Sequence, residues 1–297
     1  MKYHDCSFFF SENPPAPSGY ECYARVQGVS KKLTFSGQIP YTVHECRHGT
    51  AGVCMQSDPL LDNISIVLVD TRTPANIGAV ARCMMNMGLG RLILVDPPKD
   101  GNNDAVRLAA GADEILKRAA IVPTLGEALA GQHLVIGTSR HSGRMRKNIH
   151  TPREMAGQVV PLLAGNSVAV VFGSEVTGLD NHQLALCQEI LSIPASPEFP
   201  SLNLSHAVMV VAYELFIASR TNVPAPKREL APVGDLENFY LHLQETLQAL
   251  GFLDTGHPER MMFTFRQLFG RARLESRDIS ILRGVLSSIE RMLRKGT

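Results

Sequence analysis

The chain has 297 residues, with 29 lysines and arginines against 28 aspartates and glutamates, 44% hydrophobic residues and 19% charged ones. Such a composition belongs to a folded chain of one or two domains and excludes a fibrous or low-complexity protein. The charge is uneven: residues 257–297 hold nine basic groups against four acidic ones, which points weakly to a polyanionic partner and equally well to a solvated helix face.

Residues 1–58 contain Pro14-Pro15-Ala16-Pro17, four of the six cysteines and no sustained periodicity. They are expected to be irregular or disordered. Met55 leads straight into the first convincing strand, so two readings stand side by side: Met55 as the biological start, or a genuine extension. No secretory signal is visible. The cysteines form no C-x-x-C pair and no metal-type spacing, so no metal is expected and a reducing, cytoplasmic setting fits.

From residue 61 the pattern alternates. Short apolar runs rich in β-branched residues mark strands at 64–69, 91–95, 119–122, 134–137, 168–172 and 189–193. Helices are expected at 75–87, 103–110, 125–130, 152–163, 181–187 and 204–219, the first ending at Gly88, a residue type that favours helix termination. The longest uninterrupted apolar run, residues 207–213, has seven residues, against the roughly 20 that cross a membrane, so no membrane partner is expected. Strands separated by helical crossovers predict an α/β domain over 61–220, with a mostly parallel sheet covered on both faces. Ligands of such sheets bind beyond the carboxyl ends of the strands.

Residues 221–235 hold three prolines and read as a linker. Beyond it, Leu236, Phe239, Tyr240, Leu243, Leu247 and Leu250 fall at helical spacing on one face. With helices at 259–269 and 279–293 they predict a small helical bundle over 236–297.

No G-x-G-x-x-G follows a strand, and neither a P-loop nor a G-x-S-x-G elbow is present. What remains is a set of polar, glycine-bearing segments at strand ends: Asn76-Ile77-Gly78 running to Arg82, Gly137-Thr138-Ser139-Arg140, Phe172-Gly173-Ser174-Glu175 running to Gly178, and Ile193 with Ser201-Leu202-Asn203. Each has a plain structural explanation. Asn76 can cap a helix, Gly78 can permit close packing, Gly173 and Gly178 can serve turns, and Arg82 can be a surface residue. Their common position at the strand ends favours a site.

In order and spacing, N-I-G-A-V-A-R-C-M-M-N-M-G-L, F-G-S-E-V-T-G-L and I-P-A-S-P-E-F-P-S-L-N-L-S-H-A-V resemble the signature motifs of the SPOUT-class RNA ribose methyltransferases. The tail segments E-N-F-Y-L-H-L and L-F-G-R-A-R resemble the extension of the TrmJ-type branch, so the likeness spans residues 61–297. The resemblance implies a SPOUT fold with a C-terminal trefoil knot, a homodimer, and S-adenosyl-methionine as cofactor. It implies 2′-O-methylation of tRNA, at nucleotide 32 of the anticodon loop. Another RNA such as ribosomal RNA, or a non-catalytic RNA-binding protein on a degenerate fold, are the alternatives. Carried over residue by residue, Thr138, Ser139, Arg140, Gly173, Glu175, Gly178, Ile193, Ser201, Leu202 and Asn203 would hold the cofactor. Arg82, Asn76 and Ser201 would be catalytic, and Arg144 would meet RNA phosphate. Arg140 and Pro200 depart from the family pattern, in which small residues and a hydroxyl are common there.

Overall fold

The structure, a computed structural model, describes residues 7–9, 20–26, 29–35, 58–98, 102–139, 149–221, 228–253 and 258–296. It divides into two units, Met1–Ser57 and Asp58–Thr297. In the first, β1 (Ser7–Phe9), β2 (Tyr20–Val26) and β3 (Val29–Phe35) pair as an antiparallel sheet in that order. At these described stretches the chain is paired strand, where the sequence pattern predicts irregular structure. The two longer strands do alternate, with one break each: Tyr23 stands at a polar position of β2 and Lys31 at an apolar position of β3.

The second unit holds a seven-stranded, wholly parallel sheet. Its strands are β4 (Ile64–Val69), β5 (Arg91–Val95), β6 (Ala120–Val122), β7 (Leu134–Thr138), β8 (Ile149–His150), β9 (Val168–Phe172) and β10 (Glu189–Leu191), in the spatial order β6-β5-β4-β9-β7-β10-β8. The helices are α1 (Pro74–Asn86), α2 (Asn102–Ala109), α3 (Asp113–Arg118), α4 (Leu125–Leu129), α5 (Pro152–Val159), α6 (Asn181–Ala185) and α7 (Leu204–Ser219). Two elements, α3 and β8, have no counterpart among those expected from sequence. At six and two residues they are too short to show a period.

Local sequence sets the ends of these elements. Thr151 and Asp180 form capping boxes with Glu154 and Gln183 at the starts of α5 and α6. Asn203 caps α7 by accepting the Ser205 N–H at 2.9 Å. The sheet buries both faces. Ile64, Ile66 and Leu68 of β4 join the core beneath α1, α5 and α7, whereas Val67 and Val69 join the core beneath α4 and α6. A strand buried on both faces reads as a nearly continuous apolar run, as Ile64–Val69 does apart from buried Ser65.

The bundle comprises α8 (Val233–Ala249), α9 (Glu259–Ala272) and α10 (Ser276–Gly296). Leu236, Phe239, Tyr240 and Leu243 form its core with Met262, Ile279 and Leu286. Leu250, expected on the same face, caps the C-terminus of α8 and is 44% exposed. The segment expected as a linker is a packed seam where it is described. Leu230 and Val233 each join one face of the sheet core, and Ala231 joins the bundle core. Buried Asn166 accepts the Leu230 N–H at 2.8 Å and donates to the Arg228 carbonyl at 2.6 Å. Sequence showed three prolines there and could not show which apolar neighbours would be gripped.

Candidate active site

The carboxyl ends of β7, β9 and β10 open into a cavity of about 1220 Å³. Thr138 and Ser139 line it from the end of β7, and Gly173, Glu175 and Gly178 from the loop after β9. Ile193 follows β10, while Ser201 and Leu202 precede α7. Four separated stretches thus meet where a parallel sheet places its ligands. Arg140 and Arg144 lie outside the described residues.

The loop after β9 is folded back on itself. Ser174 and Gly178 form an isolated bridge, with the Gly178 N–H donating to the Ser174 carbonyl at 2.9 Å. A Cβ on Gly173 would lie 2.2 Å from the Gly178 carbonyl carbon, and Gly178 itself has φ +69°. Only glycine satisfies both positions without moving the backbone. Gly78 is different: its Cβ would meet the Ala105 carbonyl oxygen at 2.0 Å, so its role is the close packing of α1 on α2.

Glu175 lines the cavity, but its carboxylate turns to the loop between β4 and α1. Oε1 accepts from Asn76 Nδ2 at 2.9 Å and from the Thr73 N–H at 3.3 Å, and Oε2 accepts from the Arg72 N–H at 3.2 Å. Partial burial raises its pKa, and the hydrogen bonds from Asn76, Arg72 and Thr73 outweigh that effect, so the net shift is downward. Asn203 Nδ2 donates to Asn76 Oδ1 at 3.4 Å. The relay Asn203–Asn76–Glu175 therefore joins all three motif segments. Asn203 is not among the residues that line the cavity, and its Oδ1 caps α7. Glu175 lines the cavity and also clamps two loops together through its carboxylate.

Arg82 does not line the cavity either. It is exposed on α1, and among the described residues no hydrogen bond or ion pair engages its side chain. Cys83 beside it donates through Sγ to the Ser205 carbonyl at 3.4 Å, which places Arg82 off the face that meets α7. Ser201 is exposed at the cavity mouth. The Thr138 hydroxyl donates to the Val171 carbonyl at 2.9 Å, leaving less of it for a ligand than its position suggested.

Sequence reading missed one wall altogether. Tyr240, Gln244, Arg260 and Phe263 of the bundle line the same cavity. No local pattern links α8 and α9 to strand ends a hundred residues earlier, so no signal could have found them. Among the described residues there is no group of three or more potential metal ligands, and no helix is long and apolar enough to cross a membrane.

Comparison with known proteins accounts for this arrangement. Residues 63–213 match the SpoU rRNA Methylase family, and residues 234–297 match the C-terminal domain of the tRNA methyltransferase TrmJ. The tRNA (cytidine/uridine-2′-O-)-methyltransferase TrmJ of Escherichia coli O6:K15:H31 is 46% identical over 237 residues, 78% of this chain and 96% of that one. The TrmJ of Salmonella typhimurium is 46% identical over the same length, with 98% of it covered. Among solved structures, TrmJ from Z. mobilis ZM4 superposes with a TM-score of 0.68 at 34% identity, over 76% of this chain and 98% of that chain. A methylase family protein from Haemophilus influenzae Rd KW20 gives 0.53 at 38% identity, over 80% and 100%. With its catalytic-type sheet and its helical tail both matched, the chain belongs to the SpoU methylase family and carries a TrmJ-type C-terminal domain.

Proposed function

We propose that this protein transfers a methyl group from S-adenosyl-methionine to a ribose 2′-hydroxyl of tRNA, at nucleotide 32 of the anticodon loop. The observation that carries the reading is the Asn203–Asn76–Glu175 relay, which ties the first motif segment to the two segments that line the cavity. The names of the relatives support the tRNA substrate, and the resemblance to the TrmJ type supports the position. The family's own description names ribosomal RNA, which makes that the second reading. The matched C-terminal domain favours tRNA.

The residues fit the cofactor. A volume of about 1220 Å³ exceeds the roughly 300–1,000 Å³ of ordinary small-ligand sites and leaves room for a nucleotide beside it. Gly173 brings backbone to the wall where a side chain would obstruct, and Leu191, Ile193 and Leu202 supply apolar surface. When bound, S-adenosyl-methionine supplies an activated methyl group. The protein's part is alignment and activation of the nucleophile. A guanidinium holds its proton firmly and is a poor base, so Arg82 orients the phosphate and stabilises the developing alkoxide. Ser201, exposed at the mouth, passes the 2′-hydroxyl proton towards solvent. Asn76 acts indirectly, holding the start of α1 against the cofactor loop.

A homodimer completes the site in this reading. Arg82 and Met85 lie one turn apart on the exposed side of α1, and α7 exposes Val210, Tyr213 and Ile217 at helical spacing. Burying this face against a second copy would carry each Arg82 towards the partner's cavity. We also read the chain from β9 through α7 as a trefoil knot. The reading is supported by the placement of β10 on the side of β7 away from β9.

The test is to map 2′-O-methylation across total tRNA with and without the gene. Loss confined to nucleotide 32 supports the proposal. An unchanged tRNA profile with a lost ribosomal mark overturns it.

A further inference from the structure

Between β10 and α7 the chain turns at Ser196-Pro197-Glu198-Phe199. The Phe199 N–H donates to the Ser196 carbonyl at 3.1 Å and the Glu198 N–H donates to Ser196 Oγ at 3.3 Å. Pro197 stands at the second turn position, where its fixed φ is suited, and Pro200 restricts the residue before it. The turn is therefore stiff. What it presents is an aromatic ring: Phe199 is 77% exposed and belongs to none of the three cores. The next three residues, Pro200, Ser201 and Leu202, are cavity wall. Val176, which lines the cavity from the loop after β9, is 85% exposed.

A stiff turn that holds a phenyl ring in water at the rim of an active site does nothing for the core. It does suit an incoming flat apolar group. We propose that Phe199 is a stacking platform for an unpaired base of the RNA substrate at the target site. The proposal rests on the RNA methyltransferase reading above. Proteins that act on loop nucleotides meet splayed bases with aromatic side chains, and such stacking tolerates any base because each has a π-face. Phe199 would thus hold the nucleotide without choosing between pyrimidines. The choice of base would fall to other groups.

The chain contains no tryptophan, so Phe199→Trp introduces a unique fluorophore into the full-length protein. Titration with an unmodified tRNA transcript should quench its emission, and a cofactor titration alone should not. Phe199→Ala should raise KM for tRNA by about 10- to 100-fold while S-adenosyl-methionine affinity stays unchanged, and Phe199→Tyr should restore KM. Emission that is unaffected by tRNA, or a KM within twofold of the parent in Phe199→Ala, would overturn the proposal. So would Trp emission that shifts on dilution of the protein and not on addition of RNA, because that result would place residue 199 in an interface between copies. The parent protein is assayed for methyl transfer alongside. Failure there removes the reaction reading, whereas quenching without transfer removes only the catalytic step.

Discussion

Arg273 offers the sharpest test of how the bundle is held on the sheet. It ends α9 in the left-handed region, at φ 49°. Its Nε donates to Glu189 Oε1 at 2.7 Å, and its Nη2 donates to Gln158 Oε1 at 2.7 Å. Glu189 opens β10 and is 3% exposed, and its Oε2 has no hydrogen-bond partner. The remaining cationic candidate, His150 Nε2, is 3.9 Å away. Arg273→Leu therefore leaves a buried carboxylate without its main donor. Breaking such a pair costs about 3–5 kcal/mol. At roughly 2–4 °C per kcal/mol for a unit of this size, the melting temperature should fall by about 6–20 °C. Arg273→Gly loses the same pair but relieves the left-handed backbone, so it should recover about 1–2 kcal/mol relative to the leucine variant. Adding Glu189→Gln to Arg273→Leu should recover part of the remainder. Circular-dichroism melts and urea titrations read all four proteins. A loss under 1 kcal/mol in Arg273→Leu would show that the pair does not anchor the bundle, and equal stability of the Leu and Gly variants would remove the strain argument.

Gly173→Ala should weaken S-adenosyl-methionine binding more than tenfold by calorimetry with native far-UV dichroism, since its methyl has no room against Gly178; unchanged affinity would show that the loop yields. Arg82→Ala should abolish methyl transfer while cofactor affinity holds, and activity within a few-fold of the parent would remove Arg82 from the mechanism. Glu175 has a depressed pKa, so its clamp contributes stability above the ordinary carboxylate value of 4.5 and loses it as pH falls through the lower folded value; denaturant midpoints between pH 3 and 6 should show this dependence in the parent and less of it in Glu175→Gln. Deleting residues 1–57, a separate unit, should leave transfer rates on tRNA within twofold, and a folded truncation that has lost activity would contradict that.

The alternation of strand and helix was legible because the central sheet strands are runs that only a two-sided core can absorb, although the edge strand β6 leaves Ile121 69% exposed. Ile64–Val69 and Val168–Phe172 carry no polar break beyond Ser65, itself buried. The cavity was legible for a related reason: glycine and hydroxyl residues collect where strands end. The roles of individual side chains were less so. Asn76, Glu175 and Asn203 were all marked as site residues, but which one faces a ligand depends on hydrogen bonds spanning 99 and 127 positions of sequence. Leu250 failed as a core residue because a periodic pattern does not say where a helix stops. The strands of residues 1–57 were hidden because the composition around them speaks louder than a seven-residue alternation.

The basic tail shows how charge counting and structure divide the same residues differently. Among the described side chains of the basic groups in 257–297, two are engaged inside the fold. Arg266 pairs with Glu237 through both nitrogens and lies over the Tyr240 ring at 4.4 Å, and Arg273 holds Glu189. Arg271, Arg277, Arg283, Arg291 and Arg294 are exposed and suit phosphates, whose contacts give salt-dependent affinity without sequence choice. Arg260 is exposed too, but it stands on the cavity wall, with no ion pair among the described residues. The bundle is therefore not an appendage carrying charge. Its seam fills both sheet cores with Leu230 and Val233, Arg273 neutralises the first residue of β10, and α8 and α9 close the side of the cavity that the sheet leaves open. A chain cut at residue 220 would lose those core contacts along with the arginines. Weaker RNA binding in such a fragment would then report on folding as much as on phosphate contact, whereas reversing the charge of exposed arginines on α10 leaves the seam intact and isolates the electrostatic part.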